Sequence, residues 1–181
     1  MATTPLRHVL MLIGASASFA QDPVRGTIPL PRFEDYPANA TVVRTPAVPR
    51  FRTGDDIWPD ADPKFRQAAT TAALDGPSFA GKLTIAKIPC GTGCLYVAVI
   101  NVENGEMSTN MPFYSLLVGP FDDKTGSRRI GGISYGLHSR LLIASGCFDA
   151  TRDDEGYCAR VYYEWKDDHF QLIKRVPLDW H

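Results

Sequence analysis

Residues 158–177 read CARVYYEWKDDHFQLIKRVP, and their pattern points to a β-rich fold. Val161, Tyr163 and Trp165 alternate with Tyr162 and Glu164, the period-two pattern of a strand with one buried face. Lys166-Asp167-Asp168 supplies turn formers, so the stretch reads as a hairpin of two strands, 158–166 and 169–177. Towards the N-terminus, further strands are expected over 139–147, 113–119, 94–103 and 79–88. Asn104-Gly105 is a tight-turn signal. Consecutive strands with short links imply an antiparallel meander rather than parallel β-α-β units.

Before the strands comes one well-marked helix, over about 62–74. Asp62 suits the N-cap and Pro63 the first helical position. Phe65, Ala68, Ala69, Ala72 and Ala73 give a narrow apolar face, and Gly76-Pro77 ends it. Residues 21–60 carry Pro23, Pro29, Pro31, Pro37, Pro46, Pro49 and Pro59. Proline holds this segment extended, yet Ile28, Leu30, Phe33, Tyr36, Val42, Val43, Val48 and Phe51 make it too apolar for a free tail. The expected fold is therefore α+β, mainly β. It has an antiparallel meander of about five to seven strands, one N-terminal helix, and a Pro-rich extended arm packed on a domain spanning 61–181.

Residues 1–20 read as a signal peptide. Arg7 gives a positive n-region, Val9–Ile13 starts an apolar run, and Ser18 and Ala20 fit the small-x-small rule for cleavage before Gln21. The run is too short to span a bilayer, which predicts a periplasmic or secreted protein without membrane insertion. The 181 residues are 44% hydrophobic and 22% charged, values that exclude a disordered or collagen-like chain. The net charge of −1 argues against a nucleic-acid binder, which needs a basic excess. Asn39-Ala40-Thr41 is a glycosylation sequon to which no role is assigned.

All four cysteines lie in the exported part, where disulfides persist. Three pairings are possible. Cys90–Cys94 would close Gly91-Thr92-Gly93, whose glycines allow a tight reversal. Cys147–Cys158 would bracket an acidic loop between two strands. Loop-closure entropy does not choose between pairings; local turn chemistry favours these two. The Cys-x-x-x-Cys spacing is neither that of a thioredoxin-like redox site nor that of a zinc knuckle.

No catalytic set assembles from the sequence. Gly132-Ile133-Ser134-Tyr135-Gly136 matches a nucleophile elbow, but that motif needs a strand, a sharp turn and then a helix. Here Leu141-Leu142-Ile143 follows, a strand pattern. Asp149 and His169 fit the chain order of a triad, so a small hydrolase using Ser134 is kept as an alternative. His138, His169 and His181 have no metal-face spacing. The paired aspartates read as polar loops rather than calcium sites. No phosphate loop is present. No cofactor or metal is expected.

Candidate binding residues are Thr92 at the tip of the Cys90–Cys94 loop, and Tyr162 and Trp165 on the last hairpin. There, part of the aromatic cluster of Tyr157, Tyr162, Tyr163, Trp165 and Phe170 would face outward as a recognition patch. Cross-strand packing is the competing account. Four islands carry a resemblance: Phe79-Ala80-Gly81, Cys90-Gly91-Thr92-Gly93-Cys94, Ser139-Arg140-Leu141-Leu142-Ile143, and Cys158 followed by Tyr162-Tyr163-Glu164-Trp165. Together they resemble a family of small bacterial exported proteins with no established activity, which implies a periplasmic or secreted β-rich domain. The Cys90–Cys94 loop is also similar to that of periplasmic inhibitors of vertebrate-type lysozyme. Their loop presents a histidine; Gly91-Thr92-Gly93 has none, which removes the chemical reason for inhibition. The expected function is a non-enzymatic exported binding module for a secreted protein or an envelope component. An inhibitor or immunity-like protein against a secreted or cell-wall enzyme is the second alternative.

Overall fold

The computed structural model describes residues 29–51, 62–91, 93–108, 111–113, 115–117, 132–148 and 157–178. Residues 1–20, Thr92, His181, and the aspartates at 55, 56, 60, 122, 123, 149, 153 and 154 lie outside them. The elements are α1 (Pro63–Leu74), β1 (Leu83–Gly91), β2 (Cys94–Asn101), β3 (Met107–Ser108), β4 (Leu116–Leu117), β5 (Gly132–Ser134), β6 (Leu141–Phe148), β7 (Tyr157–Lys166) and β8 (His169–Pro177). The eight strands form one antiparallel sheet in the order β1-β2-β4-β6-β7-β8, with β3 paired to β2 and β5 to β6. The mainly-β meander read from the sequence is thus present, with two very short strands, β3 and β5, added to the six expected.

Strand β1 begins at Leu83 rather than at residue 79. Ala80 and Gly81 have φ of 45° and 86°, which turns the chain before the ladder starts. The last hairpin closes through Asp167 and Asp168 at φ of 50° and 57°, with Lys166 paired to His169. Two successive left-handed residues make the tight turn whose twist suits a two-residue hairpin loop. Helix α1 starts where expected. Asp62 Oδ1 accepts from the Lys64 N–H at 2.8 Å, and Gly76 leaves the helix at φ 90°.

Both faces of the β1–β2 hairpin are covered. Phe65, Ala69 and Ala73 of α1 pack on Ala86, Ile88, Ala98 and Ile100. The small alanines on both sides let helix and strands approach closely. The opposite face holds the larger core, where Leu83, Ile85, Val97 and Val99 meet Leu142, Ala144, Val161 and Tyr163. Strand β4, two residues long, joins β2 to β6 at Cys94↔Leu117 and Leu116↔Phe148. The sheet curls until the turn before β1 reaches the β5–β6 turn. There Ala80 N–H donates to the Ser139 carbonyl at 3.2 Å and Gly81 N–H to that of Leu137 at 2.8 Å. Phe79 fills the closure, with ring centroids 6.1, 6.5 and 6.0 Å from those of Tyr135, Trp165 and Phe170.

The disulfides are Cys90–Cys94 and Cys147–Cys158. Gly91, at φ 140°, and Gly93, at φ 70°, make the first reversal. Cys147 and Cys158 face each other directly across β6 and β7, so the second bond staples the hairpin at the mouth of its loop. Strand β8 is an edge of the sheet. Its register shifts opposite Tyr162/Tyr163, and it carries Lys174, Arg175 and Pro177. A bulge, cations and a proline are the devices by which sheet edges resist pairing with other chains.

Residues 29–51 run over the surface, extended except for one turn of 3-10 helix at Phe33–Asp35. Ala38 N–H donates to His138, Thr41 N–H to Gly81, Ala47 N–H to Val102 and Arg50 N–H to Gly105, all to carbonyls at 2.7–3.0 Å. The segment is held by its backbone more than by its side chains: Pro49 is buried, while Val42 and Val48 are exposed.

Candidate functional site

The sequence candidates separate in space. Tyr162 is 2% exposed, so it belongs to no outward patch. Strand β7 lies between β6 and β8; on the face that carries Arg160, Glu164 and Lys166 only Tyr162 is buried, which puts Val161, Tyr162 and Tyr163 out of solvent in succession. The period-two reading holds along the rest of β7 and breaks at Tyr162 alone. Ser134 lies exposed on β5, opposite Ile143. The chain passes from it into the turn before β6, without the helix that a nucleophile elbow requires. His169 sits in the last hairpin, its Nδ1 2.9 Å from the Asp167 carbonyl. No group of three His, Cys, Asp or Glu side chains among the described residues could hold a metal ion.

Trp165 is the candidate that meets open space. It lines a cleft of about 430 Å³ between the β2–β3 hairpin and the β7–β8 turn. The floor is apolar, formed by Leu83, Val99 and Trp165, all buried. The wall is mixed, with Asn101, Met107 and Ser108. The rim carries one cation, Arg50, and two carboxylates, Glu106 and Asp168. A concave site of this size with an apolar floor and a few polar groups has the build of a small-ligand pocket.

Each rim group is placed by a distinct local device. Arg50 is set by its own N–H, which donates to the Gly105 carbonyl at 2.7 Å. Gly105, at φ 74°, faces the Val48 carbonyl where a side chain would collide with it. Glu106 is held by Asn104, whose Nδ2 donates to Glu106 Oε2 at 2.8 Å and whose Oδ1 accepts from the Glu106 N–H at 2.9 Å. Asp168 is presented by the left-handed hairpin turn. Trp165 is fixed at both ends: its N–H donates to the Arg140 carbonyl at 2.8 Å, and its ring meets Phe170 edge-on at 4.9 Å.

Asn101 Oδ1 accepts from the Glu103 N–H at 3.0 Å and Glu106 is engaged by Asn104, while other polar side chains of the cleft are not engaged among the described residues. Trp165 is 9% exposed, and its indole N–H has no acceptor among the described residues. A buried indole usually finds a partner. Neither Arg50 nor Asp168 forms a salt bridge among the described residues. The cleft escapes sequence reading because its parts lie on the arm, on two hairpin turns and on β1. Only Trp165 carried a signal, as an aromatic residue beside a turn.

A second polar group lies at the other end of the large core. Burial raises the Tyr163 phenol well above its ordinary pKa, helped by the charge and hydrogen bond of Tyr157, against a smaller lowering by Arg175. The Arg175 guanidinium lies 3.9 Å over the Tyr157 ring. A phenol held neutral in this way is a structural hydrogen-bonding group, not a base.

No known protein family, curated protein or solved structure matches the chain.

Proposed function

We propose that the chain is an exported, disulfide-braced binding module whose ligand occupies the cleft over Trp165. The observation that carries this reading is an open cleft with an apolar floor that includes Trp165, whose indole N–H has no acceptor among the described residues. A ligand that covers the cleft would supply the acceptor this donor needs once water is displaced. Export is supported by the signal-like residues 1–20, by two closed disulfides and by the absence, among the described residues, of a helix long and apolar enough to cross a membrane. The ligand class is a component of the envelope or of the secreted space.

The test is a nitrogen-15 NMR titration of the purified, oxidised protein, with the Trp165 indole resonance assigned through Trp165→Phe. The titrants are size-fractionated envelope extracts containing glycans, peptides and proteins. A fraction that moves this resonance and fails to bind Trp165→Phe supports the cleft. A partner that binds the wild type and Trp165→Phe equally, leaving the resonance in place, overturns it.

A further inference from the structure

We infer that the cleft takes a short peptide with free ends, recognised as a zwitterion. The inference rests on the cleft being the binding site and names its ligand class. Three features support it together. The rim carries one guanidinium, Arg50, and two carboxylates, Glu106 and Asp168, over an apolar floor. Among the described residues these charges do not neutralise one another: no salt bridge joins Arg50 to either acid. The polar wall and floor offer both senses of hydrogen bond, an amide at Asn101, a hydroxyl at Ser108 and the indole donor of Trp165.

A free peptide matches each feature. Its terminal carboxylate suits Arg50, whose planar fork holds carboxylates in two parallel bonds. Its ammonium suits Glu106 or Asp168. Its carbonyls suit the indole N–H, and an apolar side chain suits Leu83 and Val99. A purely anionic ligand would meet two like charges, and a purely cationic one would meet Arg50. A neutral glycan would stack on the indole but leave all three charges unanswered.

The experiment titrates the tripeptide Ala-Leu-Ala, together with its N-acetylated and C-amidated forms, against the full oxidised protein while following the Trp165 indole resonance. The free tripeptide is expected to bind. Amidation and Arg50→Gln should each weaken it about tenfold, and Arg50→Gln should make no distinction between the acid and the amide. Acetylation and Asp168→Asn should behave as the corresponding pair at the other end. Asn tolerates the left-handed turn, and the Arg50 side chain makes no described contact that folding would miss. Capped peptides binding as well as free ones would overturn the inference. So would a Trp165 resonance that responds to envelope glycans or proteins but to no tripeptide, an outcome that leaves the binding-module reading intact. No response to any titrant overturns both.

Discussion

The carbonyl oxygen of Asn39 occupies the space that a side chain at Gly81 would need. The extended arm and the turn before β1 therefore fit only because residue 81 has no Cβ, and the contact is sealed by the Thr41 N–H donating to the Gly81 carbonyl at 3.0 Å. Gly76 offers a control. Its φ of 90° resembles the 86° of Gly81, but a Cβ there meets nothing within 4 Å. Gly76→Ala should cost about 1 kcal/mol, from backbone conformation alone. Gly81→Ala should cost about 2–4 kcal/mol and should expose residues near 39–41 to protease. Equal shifts in denaturant midpoint would show that the arm yields without loss.

Ser139 is the other fastening point of the arm. Its hydroxyl lies 2.9 Å from the Phe33 carbonyl and 3.1 Å from that of Tyr36, and it accepts from the Leu141 N–H at 3.1 Å. The residue is 4% exposed, so no water readily replaces it. Ser139→Ala leaves the Leu141 N–H short of its acceptor and removes one shared donor from the Phe33 and Tyr36 carbonyls, which keep the Tyr36 and Arg140 N–H groups as partners. The expected loss is about 1–3 kcal/mol, with faster hydrogen exchange at the Leu141 amide. Unchanged exchange there would mean that the amide finds another acceptor.

What could be read from the sequence divides along physical lines. The helix, the hairpins and the disulfide pairs follow from contacts near in sequence: Asp62 to Lys64, Asp167-Asp168 within its own turn, Cys90 to Cys94 across two glycines. These are the interactions that caps, turns and spacing report. Strands β3 and β5 pair over two and three residues and leave too little pattern to detect. The burial of Tyr162, on the face of β7 where Arg160 and Lys166 are exposed, depends on contacts distant in sequence, which alternation within one strand does not report. The cleft is the extreme case. Arg50 reaches the β2–β3 hairpin through a glycine at 105, and Asp168 arrives from the far end of the chain.

The two disulfides should differ in weight. Cys147 and Cys158 are 11 residues apart and Cys90 and Cys94 only 4. The chain-entropy model assigns about 3 kcal/mol to the longer loop and about 2 kcal/mol to the shorter. Paired alanine substitutions, compared by urea denaturation, should show the larger loss for Cys147/Cys158. The reverse order would mean that the Cys90–Cys94 bond also holds the neighbouring β2–β4 pairing, which begins at Cys94 itself.

Alkaline pH should destabilise the protein through Tyr163. Burial raises its folded-state pKa above the unfolded value of about 10. Between those two values the unfolded chain has released the phenolic proton while the native one retains it. The native state then binds more protons, so stability falls as pH rises. The contribution is fully present below pH of about 10 and declines above it, by up to about 1.4 kcal/mol per pH unit for one such group. Denaturant midpoints measured at pH 9 and pH 11 should therefore separate steeply in the wild type. Tyr163→Phe, which keeps the ring packed against Phe113 and Phe170, should lower stability at pH 9 by losing the Tyr157 hydrogen bond, yet lose less between the two pH values. A wild type and a variant with the same alkaline slope would assign the effect to other groups and leave Tyr163 able to ionise inside the folded core.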